Sequence, residues 1–97
     1  MIFEIAEIEV LEGQGQNFEQ GVTQALPIFQ RARGCGGAVL HRTIEHPLKY
    51  ALVVRWETLD DHIVHFRQSD DYKAWRKLVG EFFAKPPEVH HAEVVVG

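Results

Sequence analysis

Cysteine is almost missing from this chain. Cys35 stands alone, so no disulfide forms within the chain, and this usage fits a reducing compartment such as the cytoplasm. Nothing beside Cys35 in the sequence would lower its pKa, which favours a small apolar residue over a nucleophile. Positive charge is also scarce: 10 Lys and Arg stand against 14 Asp and Glu, for a net charge of −4. Without a basic face to neutralise phosphates, nucleic acid is not an expected partner. No apolar run approaches the roughly 18 residues that would suggest a membrane span. The opening MIFEIAEIEV carries acids where a secretory leader needs Lys or Arg, so a cytoplasmic protein is expected. Repeats, linkers and low-complexity tracts are absent. What remains is 97 residues, 45% apolar and 25% charged, the composition of one soluble domain. A chain of this size buries roughly two-thirds of its unfolded surface, an adequate but thin core.

Hydrophobic periodicity orders the chain as strand, helix, strand, strand, helix, strand. Residues 2–11 place Ile2, Ala6, Ile8 and Val10 on one face and Phe3, Ile5 and Leu11 on the other. A strand apolar on both faces is covered on both. Gly13 and Gly15 break it, and Asn17 with Gln20 has capping-box spacing for a helix that starts at Phe18. Phe18, Val22, Leu26 (or Ala25) and Phe29 form its stripe, Arg31 and Arg33 fall in its last turn, and Pro27 predicts a kink or shift. Gly34 ends the helix, with Gly36 and Gly37 as a turn into a strand over residues 38–44. The GCGG run lacks the strand-to-helix context of a phosphate loop. Pro47 precedes a third strand over residues 50–56, and Pro86 and Pro87 precede a last one over residues 89–96.

Residues 55–83, RWETLDDHIVHFRQSDDYKAWRKLVGEFF, concentrate the chemistry, with both tryptophans and two of the six histidines. Thr58 or Asp60 caps a short helix that places His62, His65 and Phe66 on one face at i, i+3 and i+4. Ser69 caps a second helix, with Asp70 and Asp71 at its start and Lys73, Arg76 and Lys77 later, as the helix dipole favours. Tyr72, Trp75, Leu78, Val79 and Phe82 form its stripe. The fold class this predicts is α+β: the ferredoxin-like split βαβ plan, a four-stranded antiparallel sheet with both helices on one face. The other sheet face then needs a cover, and a second copy of the chain is the simplest, giving a homodimer.

Trp56-Glu57 closing the third strand, Phe66-Arg67-x-Ser69-x-x-Tyr72-x-x-Trp75-Arg76, Phe82-Phe83 before Pro86-Pro87, and His91 together carry a resemblance. Over nearly its whole length the chain resembles the antibiotic biosynthesis monooxygenase domain family, with its dimeric α/β-barrel fold. The superfamily includes cofactor-independent oxygenases of anthrones and quinols, haem-degrading monooxygenases, and autoinducer-processing enzymes. Quinol- and autoinducer-type members carry a histidine at the helix break. Counted forward from Trp56 that place is His65; counted back from Ser69 it is Phe66. Haem degraders carry a tryptophan there, a histidine on the second helix and an asparagine on the first strand. Here those places hold His65 or Phe66, and Trp75 or Arg76, and the single asparagine, Asn17, lies outside the first strand. The resemblance therefore argues against haem degradation.

His65 and His62 are the candidate catalytic groups, because imidazole exchanges protons with phenols and enols near neutral pH. The plainer alternative makes them ordinary amphipathic-helix residues, His62 at the rim and His65 half buried. Phe29, Trp56, Phe66, Tyr72, Trp75 and Phe83 are candidates to line a flat aromatic pocket, although their spacing also suits a core. Arg42 is a weaker candidate. Asp60-Asp61 and Asp70-Asp71 read as acids at helix starts and not as a catalytic pair. Asp61, His62 and His65 lack further ligands at a diagnostic spacing, and His90 and His91 point to opposite faces of a strand, so no metal is expected. No flavin, nicotinamide or haem motif is present, and no cofactor is expected. The resemblance implies a cofactor-independent monooxygenase of a polyphenol, quinol or anthrone; the alternative is a non-catalytic ligand-binding or stress-related module on the same fold.

Overall fold

The computed structural model describes residues 1–97. It has strand β1 (Ile2–Glu9), helix α1 (Gly15–Gln30), strands β2 (Cys35–Arg42) and β3 (Lys49–Trp56), a π-helical segment (Asp61–Phe66), helix α2 (Asp70–Val79), a single 3₁₀ turn (Gly80–Phe82) and strand β4 (Glu88–Ala92). All strand pairs are antiparallel, in the order β2-β3-β1-β4. This is the expected split βαβ plan. Within one chain the sheet is open, with β2 and β4 as its edges.

The inward positions of β1 and β3 follow the period of two: Ala6 and Ile8, then Tyr50, Leu52, Val54 and Trp56, are buried. From α1 the stripe Phe18, Val22, Ala25 and Phe29 completes the core, so Ala25 and not Leu26 takes the inward place. Trp75 and Val79 are the buried members of α2. The two helices approach so closely at Gly21 that a Cβ there would lie 2.9 Å from the Leu78 carbonyl oxygen. Any side chain at this position would push the helices apart.

Several boundaries differ from the sequence expectation. Helix α1 starts at Gly15, so Asn17 lies inside its first turn, where its amide donates to Gln14 instead of capping a backbone group. Pro27 does not interrupt the helix, and the Arg31 N–H still reaches the Pro27 carbonyl at 3.2 Å. Arg31 is the C-cap, so Arg31 and Arg33 fall beyond the last turn. Gly36 and Gly37 belong to β2 and not to a turn: the strand starts at Cys35 and passes through a register shift beside Arg55, which donates to the Gly36 carbonyl. It ends at Arg42, before Ile44. β4 stops at Ala92, short of the valine run, and its partners on β1 run from Phe3 to Glu7. Val94, Val95 and Val96 are exposed. No helix is long and apolar enough to cross a membrane.

Candidate functional site

The site begins with an exception to the pattern of β1. Glu4 falls on the inward face between Ile2 and Ala6, and it is buried like Ala6 and Ile8. Across the sheet its register partners are Val54 on β3 and His91 on β4. Burying a carboxylate is costly unless it is hydrogen-bonded. The indole N–H of Trp56, at the end of β3, donates to Glu4 Oε1 at 3.0 Å.

Beyond Trp56 the chain turns through Thr58 and Asp61, which cap each other. Thr58 Oγ1 accepts from the Asp61 N–H, and the Thr58 N–H donates to Asp61 Oδ2, each at 3.2 Å. The following residues form a π turn, marked by the bond from the Arg67 N–H to the His62 carbonyl at 3.1 Å. A turn closed at i+5 rotates less per residue than an α-helix. His62 and Phe66, four apart, therefore both stay inside, while His65 rotates out. His62 is buried at 2% exposure and Phe66 at 5%, whereas His65 is exposed. The expected positions are thus reversed: His62 is not at a rim, and His65 is not half buried.

The His62 ring lies parallel to the Trp56 indole, with centroids 5.4 Å apart and planes 17° apart. Its Nε2 is 3.2 Å from Glu4 Oε1, and its Nδ1 is 2.8 Å from Nε2 of His91. Burial raises the pKa of Glu4, opposed by the Trp56 hydrogen bond and the charge of Arg67. Burial, with Arg67 and His91 adding to it, lowers the pKa of His62 from 6.5 to about 4. The pKa of His91 is lowered too, by burial first and then by Arg67 and His90. A neutral His62 has one N–H. In the tautomer that carries it on Nε2, beside the Glu4 carboxylate, Nδ1 accepts from the Nε2–H of His91. The result is a continuous chain from Trp56 and His62 on Glu4 to His91.

Through Glu4 and His62 this chain borders a cleft of about 410 Å³ between the sheet and α2. Glu4 and His62 face it, Leu52, Tyr72, Trp75, Phe83 and Val89 supply apolar walls, and Arg67 and Arg76 also line it. Arg76 donates to the Tyr72 hydroxyl at 3.2 Å and sits over the Phe83 ring, 5.4 Å from its centroid. Of the sequence candidates, the cleft brings together His62, Tyr72, Trp75 and Phe83. Phe66, Trp56 and Phe29 form the layer behind them: Phe66 packs against Trp56 and Phe29, and Phe29 meets Trp75 edge-on at 5.1 Å. His65 lies outside the cleft.

Glu4, Arg67 and the partnership of His62 with His91 were missed as site features. The signal for Glu4 was present, an acid in the inward register of a strand otherwise apolar on that face. Arg42 pairs with Glu19 at 3.0 Å, away from the cleft. Asp71 in the first turn of α2 pairs with Arg31 at 2.7 Å. Burial raises the pKa of the Cys35 thiol, the opposite of what a nucleophile needs. No group of three or more His, Cys, Asp and Glu side chains is arranged to hold a metal ion.

The sequence model of the family described as antibiotic biosynthesis monooxygenase matches residues 1–78. A Bordetella bronchiseptica protein of known crystal structure, provisionally described as an antibiotic biosynthesis monooxygenase, is 60% identical. The match covers 98% of this chain and 97% of that one, with a TM-score of 0.97. The uncharacterised protein YczJ of Bacillus subtilis is 38% identical over 95 residues, covering 98% of this chain and all of that one. A Nitrosomonas europaea protein with the same provisional description shares the fold, with a TM-score of 0.83 at 18% identity over 99% of this chain and 100% of that one.

Proposed function

Because the chain belongs to the antibiotic biosynthesis monooxygenase family, we propose that it is a cofactor-independent monooxygenase of a small, flat, electron-rich aromatic molecule, an anthrone, quinol or polyphenol. The observation that carries this reading is the junction of an aromatic-walled cleft with a chain of close polar contacts, Glu4–His62–His91, whose first two members are buried. A planar ring fits between Tyr72, Trp75 and Phe83, and its acidic C–H or O–H is presented to the polar end. Loss of that proton leaves a delocalised anion, which gives an electron to dioxygen and then forms the carbon–oxygen bond. For an anthrone the balance is one CH₂ and one O₂ to one C=O and one H₂O, so the substrate supplies every electron. Apolar walls favour this course by keeping water from the anion and admitting dioxygen.

The same reading includes a homodimer acting in the cytoplasm. On the outer sheet face Phe3, Ile5 and Val53 are only partly covered and Val39 is 56% exposed, an apolar surface suited to a second copy.

Oxygen uptake tests the activity. With 1,8-dihydroxyanthrone and no added cofactor, one equivalent of O₂ should be consumed per substrate, and one labelled oxygen atom from ¹⁸O₂ should enter the product. Binding of the anthrone, seen as quenching of tryptophan fluorescence, without consumption of oxygen or ligand would replace the oxygenase reading with that of a ligand-binding module.

A further inference from the structure

Glu4 Oε1 accepts from Trp56 Nε1 and lies 3.2 Å from His62 Nε2, while Oε2 makes no hydrogen bond within the protein. No fully buried side-chain oxygen lacks a partner, so Oε2 is open, and the space Glu4 borders is the cleft. His62 is in the reverse situation. One of its ring nitrogens faces Glu4 and the other His91, so neither is free for a substrate. We propose that Glu4, and not a histidine, removes the substrate's proton through Oε2, with His62 as the residue that positions it; this rests on the oxygenase reading above. The proton of the substrate's acidic C–H or O–H passes to Oε2, and the bonding pair stays on the substrate as an enolate or phenolate. Arg67, on the same cleft, favours that anion. The protonated Glu4 then returns its proton to the peroxide formed with dioxygen; the second hydrogen on that carbon leaves as a proton while the O–O bond breaks, and the departing hydroxide takes it up, giving the product carbonyl and water.

The environment of Glu4 suits this role. A base needs a pKa brought up towards neutrality, and burial moves Glu4 in that direction. Trp56 and Arg67 oppose that shift, and the other titratable or charged groups around Glu4 are His62 from the π segment, His91 from β4, Cys35 from β2, and Tyr72 and Arg76 from α2 across the cleft.

Proton removal can be read without oxygen, as anaerobic exchange of the acidic C–H of 1,8-dihydroxyanthrone for deuterium, measured above the spontaneous rate. Glu4→Gln should slow this exchange roughly a hundredfold or more, the usual contribution of a positioned base, while fluorescence-measured affinity changes less than about twofold. Formate added to Glu4→Ala should restore part of the rate. The parent alone offers a check that needs no variant: its exchange should rise with pH through the raised pKa of one carboxyl group and then level. Glu4→Gln exchanging as fast as the parent would overturn the assignment, and so would a loss of affinity as large as the loss of rate. In either case an active parent leaves the oxygenase reading standing. A parent that binds the anthrone yet neither exchanges nor consumes oxygen removes both.

Discussion

The Trp56 indole and the His62 imidazole lie stacked at 17° and converge on the same oxygen, Oε1 of Glu4, the indole N–H donating to it and the imidazole Nε2 lying 3.2 Å away. One carboxylate oxygen therefore orients two rings that come from the end of a strand and from a π turn. Stacking fixes their faces, and the shared oxygen fixes their edges. The histidine is left neutral, and its neutrality has a consequence for stability.

In the unfolded chain this imidazole takes its proton near pH 6.5, and in the folded one near pH 4. Between those values the unfolded state holds more protons, so stability should fall as pH drops through this window and level below it. The difference sets a ceiling of about 3 kcal/mol. His91 adds to the loss in the same direction. The raised pKa of Glu4 opposes it, because the folded state takes up that proton first as pH falls. Urea denaturation at pH 7, 5.5 and 4 should show the decline, and His62→Gln should make it shallower. Equal slopes for parent and variant would mean that His62 does not carry the effect.

Ser69 Oγ accepts the Tyr72 N–H at 3.1 Å and donates to the Phe66 carbonyl at 2.6 Å, joining the π turn to the start of α2. Ser69→Ala should cost about 1 kcal/mol of unfolding free energy. A melting temperature equal to the parent's would show that the cap contributes nothing. Because the hydroxyl also holds the end of the π turn, anthrone affinity should weaken with stability.

Gly34 has φ +73, and the carboxyl group of Asp61 fills the place a Cβ would take. Gly34→Ala should therefore cost about 1–2 kcal/mol for the left-handed backbone alone, with a further loss as Asp61 is driven from Thr58. Gly80, at φ −60 and ψ −32 with nothing within 4 Å of its would-be Cβ, makes the control. Gly80→Ala should stabilise by about 0.4–1 kcal/mol. Chemical denaturation of the two variants should shift in opposite directions; shifts of the same sign would contradict the local geometry.

Light scattering at micromolar concentration should give about twice the 11.1 kDa chain mass, as expected of a closed two-fold pair. Val39→Asp, at a position 56% exposed in the single chain, should leave the fold of one subunit within about 0.5 kcal/mol. In a dimer it would bury a charge against an apolar surface and should shift the mass towards one chain. A parent that scatters as a single chain would remove the dimer from the proposal.

The sequence by itself determined the element order, the topology class and most of the core, because periods of two and of 3.6 are local and survive small errors of boundary. Phe18, Val22, Phe29, Trp75 and Val79 were all legible in this way. So was the Ser69 cap, since its partner lies only three residues on. Tertiary structure alone decided the site. Glu4, His62 and His91 lie far apart in the chain, and they meet only because the antiparallel register sets Glu4 opposite His91 and the chain after β3 folds back over both. A change of turn type, from α to π, then chose which histidine faces inward: with i+5 closure His62 and Phe66 stay together and His65 turns to solvent. That choice depends on a single hydrogen-bond pattern over six residues, set by the Thr58–Asp61 cap and by the packing of Phe66 on Trp56. Helical spacing, which assumes one turn geometry throughout, has no means of showing it.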